Sequence, residues 1–593
     1  MSKKLTINNF LEKAKKNFNE QAILLVILLV FGLFLRTTHL DVVPPGLAND
    51  EANIILNGQS IAVTGKSIPG VVTGVVGQPT GNYIGGVHSE ISSFLLSLVY
   101  RLVGFSNTTA RLPFALASVG VSVFIYLLAK LLFNRRVANI AFALSVINPW
   151  LIHFGRAGYE GILSCFFYLW GIYVYVSRKD WKVLYSLPLF FAGFLSYFAA
   201  KTLLLPITLV LVLYSIWFAK KASFKPLIVF NLIVALFIAG YFAVLRNDFS
   251  GRRIQELKNT SLAPIVDDKR THAIKAPFVN LVENKAVENL DTRIKNALGG
   301  VSANFLFVNG MPEPSGHLSI PEHGPLYMID LLLLAVGLAY LAKKHTKKLV
   351  IVGLLAVTTL VPNFLEIDNS TYSMRPVILI PVLLIVIAFG LYFILYQMKN
   401  IKYKVAVVVG LCVVYLFLFA RFSFQYYFRM PIVYNSAWFF QDRLATRYIT
   451  DMEKHYPQER VVWVAPSFHY TFYRFLFFSE LYQKIDDIQK ANNLLENKTY
   501  TINNLSIVNE CPKDYSPNTV YIVDVNLHCT MPKPLAIIPN IDDAGAKYFL
   551  INDPLCNQYG YERYPLIQDF RLLNVAGLST SEFCQSYITN NEN

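Results

Sequence analysis

Charge is what this chain has least of. Asp, Glu, Lys and Arg make up 15% of its 593 residues, against roughly 25% in an ordinary soluble domain, and that shortfall excludes a conventional soluble enzyme. Cysteine is sparse as well, six in all, and none of it falls into a Cys/His spacing suited to a metal. Internal repeats and low-complexity tracts are absent. No small-residue cleavage site follows the first apolar run, and Pro44-Pro45 would make a poor one, so that run reads as a retained span rather than a cleaved signal.

What is present is apolar. Hydrophobic residues make up 54% of the chain, mean hydropathy is +0.42, and several runs reach the roughly 17–25 residues needed to cross a bilayer. The expected class is a polytopic α-helical membrane protein. Its net charge of +15 does not point to nucleic acid, because many Lys and Arg residues sit in short loops between spans, where cytoplasmic loops concentrate them.

With the basic N-terminus (1–20) in the cytoplasm, eleven spans follow within residues 21–422. The first runs over about 21–37, the second over about 112–133, the fourth over about 161–177, and the fifth and sixth form a hairpin with its tip at Tyr197 to Lys201. The last four lie at about 326–342, just before Pro362, at about 376–396 and at about 405–421. Predicted inner loops are short and basic, whereas the long loops, about 38–111 and 246–325, both fall outside. Beyond residue 422 hydropathy drops. Val461 to Val464 and Val520 to Val523 read as buried strands and Asn435 to Met452 as a helix, so 423–593 is expected to be an extracytoplasmic α/β domain. Cys511, Cys529, Cys556 and Cys584 lie there, an even set that suggests two disulfides of unspecified connectivity.

The chain is organised around Pro44-Pro45-Gly46-Leu47-Ala48-Asn49-Asp50-Glu51-Ala52. The prolines stop the preceding helix, Asn49 is a good N-cap, and a helix lying at the membrane interface is expected to run to Gly65. Asp50 and Glu51 could merely complement its dipole. Other polar residues nevertheless converge on the same predicted face: Arg156 and Glu160, which could also simply pair at i and i+4; Tyr197 and Lys201; His317; and Arg375. A lipid-linked donor explains carboxylates and cations together at a membrane surface. Cations neutralise a departing phosphate, and a carboxylate takes the proton of the acceptor.

The Asp50-Glu51 pair after the first span, Ala110-Arg111-Leu112-Pro113-Phe114, Asn148-Pro149-Trp150, Arg156 to Glu160, the Tyr197 to Pro206 hairpin and Tyr372-Ser373-Met374-Arg375-Pro376 resemble the GT-C glycosyltransferases. More narrowly they resemble the bacterial branch related to protein O-mannosyltransferases and the lipid A aminoarabinose transferase. The resemblance covers about residues 20–400. It implies an inverting transfer of a sugar from a polyprenyl-phosphate donor, with Asp50 as base and Glu51 shaping the site, to a glycan, lipid or protein acceptor outside the plasma membrane. The related enzymes often carry a basic residue before Pro-Pro-Leu in the first loop; here Tyr83 to Glu90 has no Lys or Arg, which moves phosphate contact to Lys201 and Arg375. No cofactor is implied with certainty, and a divalent metal on Asp50 stays open. The competing class is a transporter or flippase of a lipid-linked or anionic solute, which would be expected to show ionisable or broken sites near mid-span and internal pseudosymmetry. An inactive relative acting only as an assembly partner is disfavoured by the retained Asp50 and Glu51. Sequons at Asn107, Asn259, Asn369, Asn497 and Asn504 prove nothing.

Overall fold

A computed structural model describes residues 21–68, 91–218, 224–244, 262–274, 277–311, 317–365 apart from 319 and 321, 372–542, 545–561, 567 and 569–590. The expectations at Tyr83 to Glu90, at the sequons of Asn259 and Asn369, and at the basic N-terminus lie outside the described residues.

Helices α1 (Gln21–Thr37), α4 (Leu112–Leu132), α5 (Arg135–Val146), α6 (Pro149–Arg156) and α7 (Glu160–Ser177) occupy places where apolar runs predict spans, while α2 (Asn49–Thr64) and α3 (Ser92–Val103) fall within the long loop expected outside. Among the described residues, however, seven helices are long and apolar enough to cross a membrane by themselves, or eight if α5 and α6 make one span bent by 53°. That differs from the eleven expected. The bend falls at Asn148-Pro149, where Asn148 caps α6 by accepting from the Leu151 N–H and Pro149 cannot continue the α5 ladder. The Leu187–Ser196 helix is likewise short, preceded by the 3-10 segment Asp180–Ser186. Hydropathy registers an apolar run but not such breaks.

The C-terminal region carries a seven-stranded mixed sheet of order β2-β3-β1-β4-β6-β5-β7. β1 (Arg460–Val464) lies parallel to β3 (Leu505–Val508) and β4 (Thr519–Asp524). β6 (Ala546–Ile551) and β5 (Ala536–Pro539) extend the sheet antiparallel beyond β4, while β2 (Thr501–Ile502) and β7 (Thr589–Asn590) form its edges. The two predicted strands are thus neighbours at its centre, and the predicted helix is Phe440–His455. Disulfides join Cys511 to Cys529 and Cys556 to Cys584.

Helix α2 departs from the expected interfacial stretch. Its cap position is Ala48 rather than Asn49, and every residue from Glu51 to Ile61 is buried. Gly58 packs against Leu96 and Tyr100 of α3, where a Cβ would meet Leu96 at 2.9 Å. The sheet domain covers another side: Asn492 donates to Ser60 at 3.0 Å, and Arg474 donates to Asn49 at 2.5 Å. Asn49 therefore serves as a docking point instead of a cap. Arg474 is itself held by Asp442 at 2.5 Å, and Asp442 by the Tyr548 hydroxyl at 2.5 Å, so a buried polar chain runs from α2 into the sheet.

Candidate active site

The loop between α1 and α2 has no regular structure, so its carbonyls need partners from elsewhere. Three buried arginines from separate elements supply them. Arg156, at the end of α6, donates to Leu35, His39 and Val43. Arg111, just before α4, donates to Leu40, Pro44 and Gly46. Arg443, from the sheet domain, donates to Asp41 and Pro45. A guanidinium suits this task because its planar fork presents five donors that stay charged when buried. Close packing finishes the loop: a Cβ on Gly46 would stand 1.9 Å from the Trp438 carbonyl oxygen.

That loop delivers two adjacent carboxylates to different surroundings. Glu51 is fully buried. It accepts from Arg111 Nε at 2.7 Å and Nη2 at 3.0 Å, from the Gly158 N–H at 2.7 Å, and from the Ala48 N–H at 3.4 Å. Position 158 must be small, since a Cβ there would lie 2.6 Å from Glu51 Cγ. Asp50, one residue earlier, is exposed and makes no hydrogen bond to a described residue. Successive helical residues point about 100° apart, which is how one carboxylate is locked inward while its neighbour stays open.

Around Asp50 stand Tyr159 and His317, whose rings stack at 6.4 Å; both sense its charge. Burial holds the His317 imidazole below the usual histidine range, opposed by the charges of Asp50 and Glu51, so it is neutral at neutral pH. Burial, with help from those carboxylates, pushes the Tyr159 phenol well above its ordinary range. Among the described residues neither Tyr159 Oη nor His317 Nδ1 has a hydrogen-bond partner, although both are buried. His317 is fixed by its main chain, whose carbonyl accepts from His153 Nε2 at 3.3 Å.

Other predicted residues meet at the same junction. The Ser373 hydroxyl donates to the Leu318 carbonyl at 2.8 Å, and the Trp150 indole donates to the Ser373 carbonyl at 2.8 Å. Gly161 lets Met374 sit against the start of α7, where a Cβ would approach Met374 Cγ to 2.4 Å. These contacts bring Arg375, Glu160, Tyr159 and His317 into one neighbourhood. Arg375 is buried over the Tyr372 ring at 4.2 Å.

Arg156 and Lys201 are placed differently. Arg156 is committed to loop carbonyls and lies 4.9 Å over the Tyr427 ring. Lys201 occupies an aromatic box formed by Phe194, Phe198 and Tyr241, donating to the Tyr241 hydroxyl. Tyr197 is half-buried beside it, at the break after the Leu187–Ser196 helix. Sequence reasoning did not identify Arg111 as the partner of Glu51, nor Arg443 and Trp438 as walls of the loop. Arg111 was visible in its motif, but nothing in one sequence pairs positions 51 and 111. Among the described residues no three His, Cys, Asp or Glu side chains gather as a metal set, and both Glu51 oxygens are engaged by N–H donors.

Comparison with known proteins gives a family and a set of distant structures. Residues 87–241 match the family described as dolichyl-phosphate-mannose-protein mannosyltransferase. No curated protein matches the chain by sequence. The apo oligosaccharyltransferase of Archaeoglobus fulgidus is 12% identical with a TM-score of 0.44, covering 78% of this chain; the chain spans only 64% of that protein's length. AglB of Archaeoglobus fulgidus, in complex with an inhibitory peptide and a dolichol-phosphate, is 11% identical with a TM-score of 0.47, at coverages of 85% and 69%. Apo ArnT from Cupriavidus metallidurans is 12% identical with a TM-score of 0.46, at coverages of 91% and 98%. The chain resembles the GT-C glycosyltransferases, in the branch of protein mannosyltransferases, through a family match confined to residues 87–241.

Proposed function

We propose that this protein is an inverting glycosyltransferase that moves a sugar from a polyprenyl-phosphate donor to an extracytoplasmic acceptor. One observation carries the reading: in a helix buried from Glu51 to Ile61, the carboxylate left open is Asp50. A residue needed only for helix electrostatics has no reason to follow directly on a loop clamped by three buried arginines. The family match over residues 87–241 supports a lipid-phosphate sugar as the donor class.

Asp50 is the base. It takes the proton from the acceptor O–H or N–H while the acceptor atom bonds to the anomeric carbon from the face opposite the phosphate. The carbon–oxygen bond to phosphate breaks, its electron pair stays on the oxygen, and polyprenyl phosphate departs. Arg375, in the same neighbourhood as Tyr159 and His317, stabilises the departing charge. Neutral His317 and Tyr159 orient the acceptor beside Asp50, and Glu160 contributes to the same wall with Tyr197 near Lys201. Glu51, Arg111 and Arg156 are positioning residues, since they hold the loop and not the reacting atoms.

The test is sugar transfer by the purified full-length protein in detergent, with a radiolabelled polyprenyl-phosphate sugar and membrane extract as acceptor source. Transfer that requires Asp50 supports the reading. Near-normal transfer by a folded Asp50→Asn variant overturns it.

A further inference from the structure

The Lys285–Gly299 helix, in the second long loop, has inverted amphipathicity. A helix on the surface of a soluble domain turns apolar side chains to the core and polar ones to water. Here Glu288, Thr292 and Asn296 are buried, whereas Val287, Leu290, Ile294 and Leu298 stand 42–58% exposed. Successive helical residues point about 100° apart, so the polar set makes one stripe at i, i+4 and i+8 and the apolar set lies on the opposite side. The inward stripe is built for its place, because Glu288 pairs with Lys269 at 2.5 Å. Just upstream, the short Val279–Val282 helix and the residue before it expose Phe278, Leu281 and Val282 as well. Exposed apolar groups gathered in this way mark a surface that another apolar phase covers.

Where the helix is fastened identifies that phase. Arg293 donates to the Phe364 and Leu365 carbonyls at 3.1 and 2.8 Å. These are the last carbonyls of the apolar Thr346–Leu365 span, and the end of a helix leaves its final carbonyls without partners in its own ladder. The helix is therefore held at the level where that span leaves the hydrocarbon. Val357, Phe364 and Leu365 expose apolar surface at the same end of the span, so the stripe continues a surface that faces lipid. We propose that Lys285–Gly299 lies in the membrane interface, with Leu290, Ile294 and Leu298 among the headgroups and upper acyl chains of bilayer lipid. Helices of this kind sink their apolar face about 5–10 Å into that boundary. The chain runs on from this helix to His317. On the transferase reading above, lipid contact would hold the His317 side of the site at the depth of a lipid-linked donor; the contact itself does not rest on that reading.

The experiment is spin-label accessibility on the full-length protein in vesicles of phosphatidylcholine and phosphatidylglycerol in equal parts, with the exposed native thiol removed by Cys412→Ser. Leu290→Cys and Ile294→Cys are labelled one at a time, and Asn497→Cys, exposed on the sheet domain, is the water-facing reference. Oxygen concentrates among acyl chains and a nickel chelate stays in water, so the ratio of their collision rates with the label reads its depth. That ratio at 290 and 294 should exceed the ratio at 497 roughly threefold or more, as for an interfacial helix. A ratio equal to that at 497 would put the stripe in water and overturn the proposal. Low collision rates with both reagents would overturn it too, since the stripe would then lie under protein: another segment of this chain, a second copy or a partner. Leu298→Cys takes the place of either variant that fails to elute as the native protein does. Depth is read without turnover. Full transfer by Asp50→Asn would sink the transferase reading and leave the lipid contact standing, and a water-facing stripe would do the reverse.

Discussion

Asp50 and Glu51 are chemically alike and structurally opposite. The open carboxylate is assigned the chemistry, so Asp50→Asn should lower transfer by roughly 100- to 10,000-fold, the scale of general-base catalysis, with unchanged expression and donor binding. Were Asp50 only a helix-dipole charge, the change would cost about 0.3–1 kcal/mol of stability and little rate. Glu51 predicts the reverse signature. Its partner Arg111 is almost wholly buried with it, so Glu51→Ala leaves a buried guanidinium facing no carboxylate and should cost about 3–5 kcal/mol. Thermal unfolding in detergent would register that as a large drop in Tm before any assay is run. At this scale the sequence was half legible. The Asp-Glu pair stands out because acidic residues are rare beside a membrane span, but their unequal burial depends on Arg111 and Gly158, distant positions that no local pattern links to residue 51.

Elements were easier to foresee than their surroundings. The apolar runs mark helices because every backbone group in a bilayer must be satisfied within its own segment. Breaks such as the one at Asn148-Pro149 follow from residues visible in the sequence. Helix α2 shows what such reading misses. The expectation is a helix lying at the membrane interface, whereas the sheet domain and α3 bury the whole helix from Glu51 to Ile61. The covering residues lie far along the chain, Arg474 being separated from Asn49 by 425 positions. A consequence can be measured. Arg474→Ala removes the link from Asn49 to Asp442 and leaves that carboxylate buried with only Tyr548. Amide exchange in residues 49–64 should then accelerate while exchange in α4 and α7 stays as it was. Equal protection in both proteins would show that α2 is held without the sheet domain.

On the scale of the whole molecule, one face carries the clamped loop, Asp50 and the sheet domain, and the disposition of that face decides whether the proposed chemistry has an accessible acceptor. The disulfides fit an oxidising side. Closing loops with sequence separations of 18 and 28 is worth about 3–4 kcal/mol in the chain-entropy account; reduction should therefore lower the domain's stability and retard its gel mobility. The direct test is topological. Lys347 lies in the first turn of the Thr346–Thr358 helix, at its short basic junction with the Met328–Lys344 helix, and Asn497 ends the Ile485–Glu496 helix of the sheet domain; both are exposed. In a Cys412→Ser background, which removes the exposed native thiol, a single cysteine at Asn497 should react with a membrane-impermeant maleimide in intact cells. A cysteine at Lys347 should react only after permeabilisation, because short basic connections stay on the cytoplasmic side. Asp50 is tied to the sheet domain through the Asn49–Arg474 bond, so labelling at 497 reports the side of the membrane on which Asp50 opens. The opposite pattern would put Asp50 in the cytoplasm, beyond reach of any extracytoplasmic acceptor, and the proposed transfer could not occur there however well Asp50 is arranged.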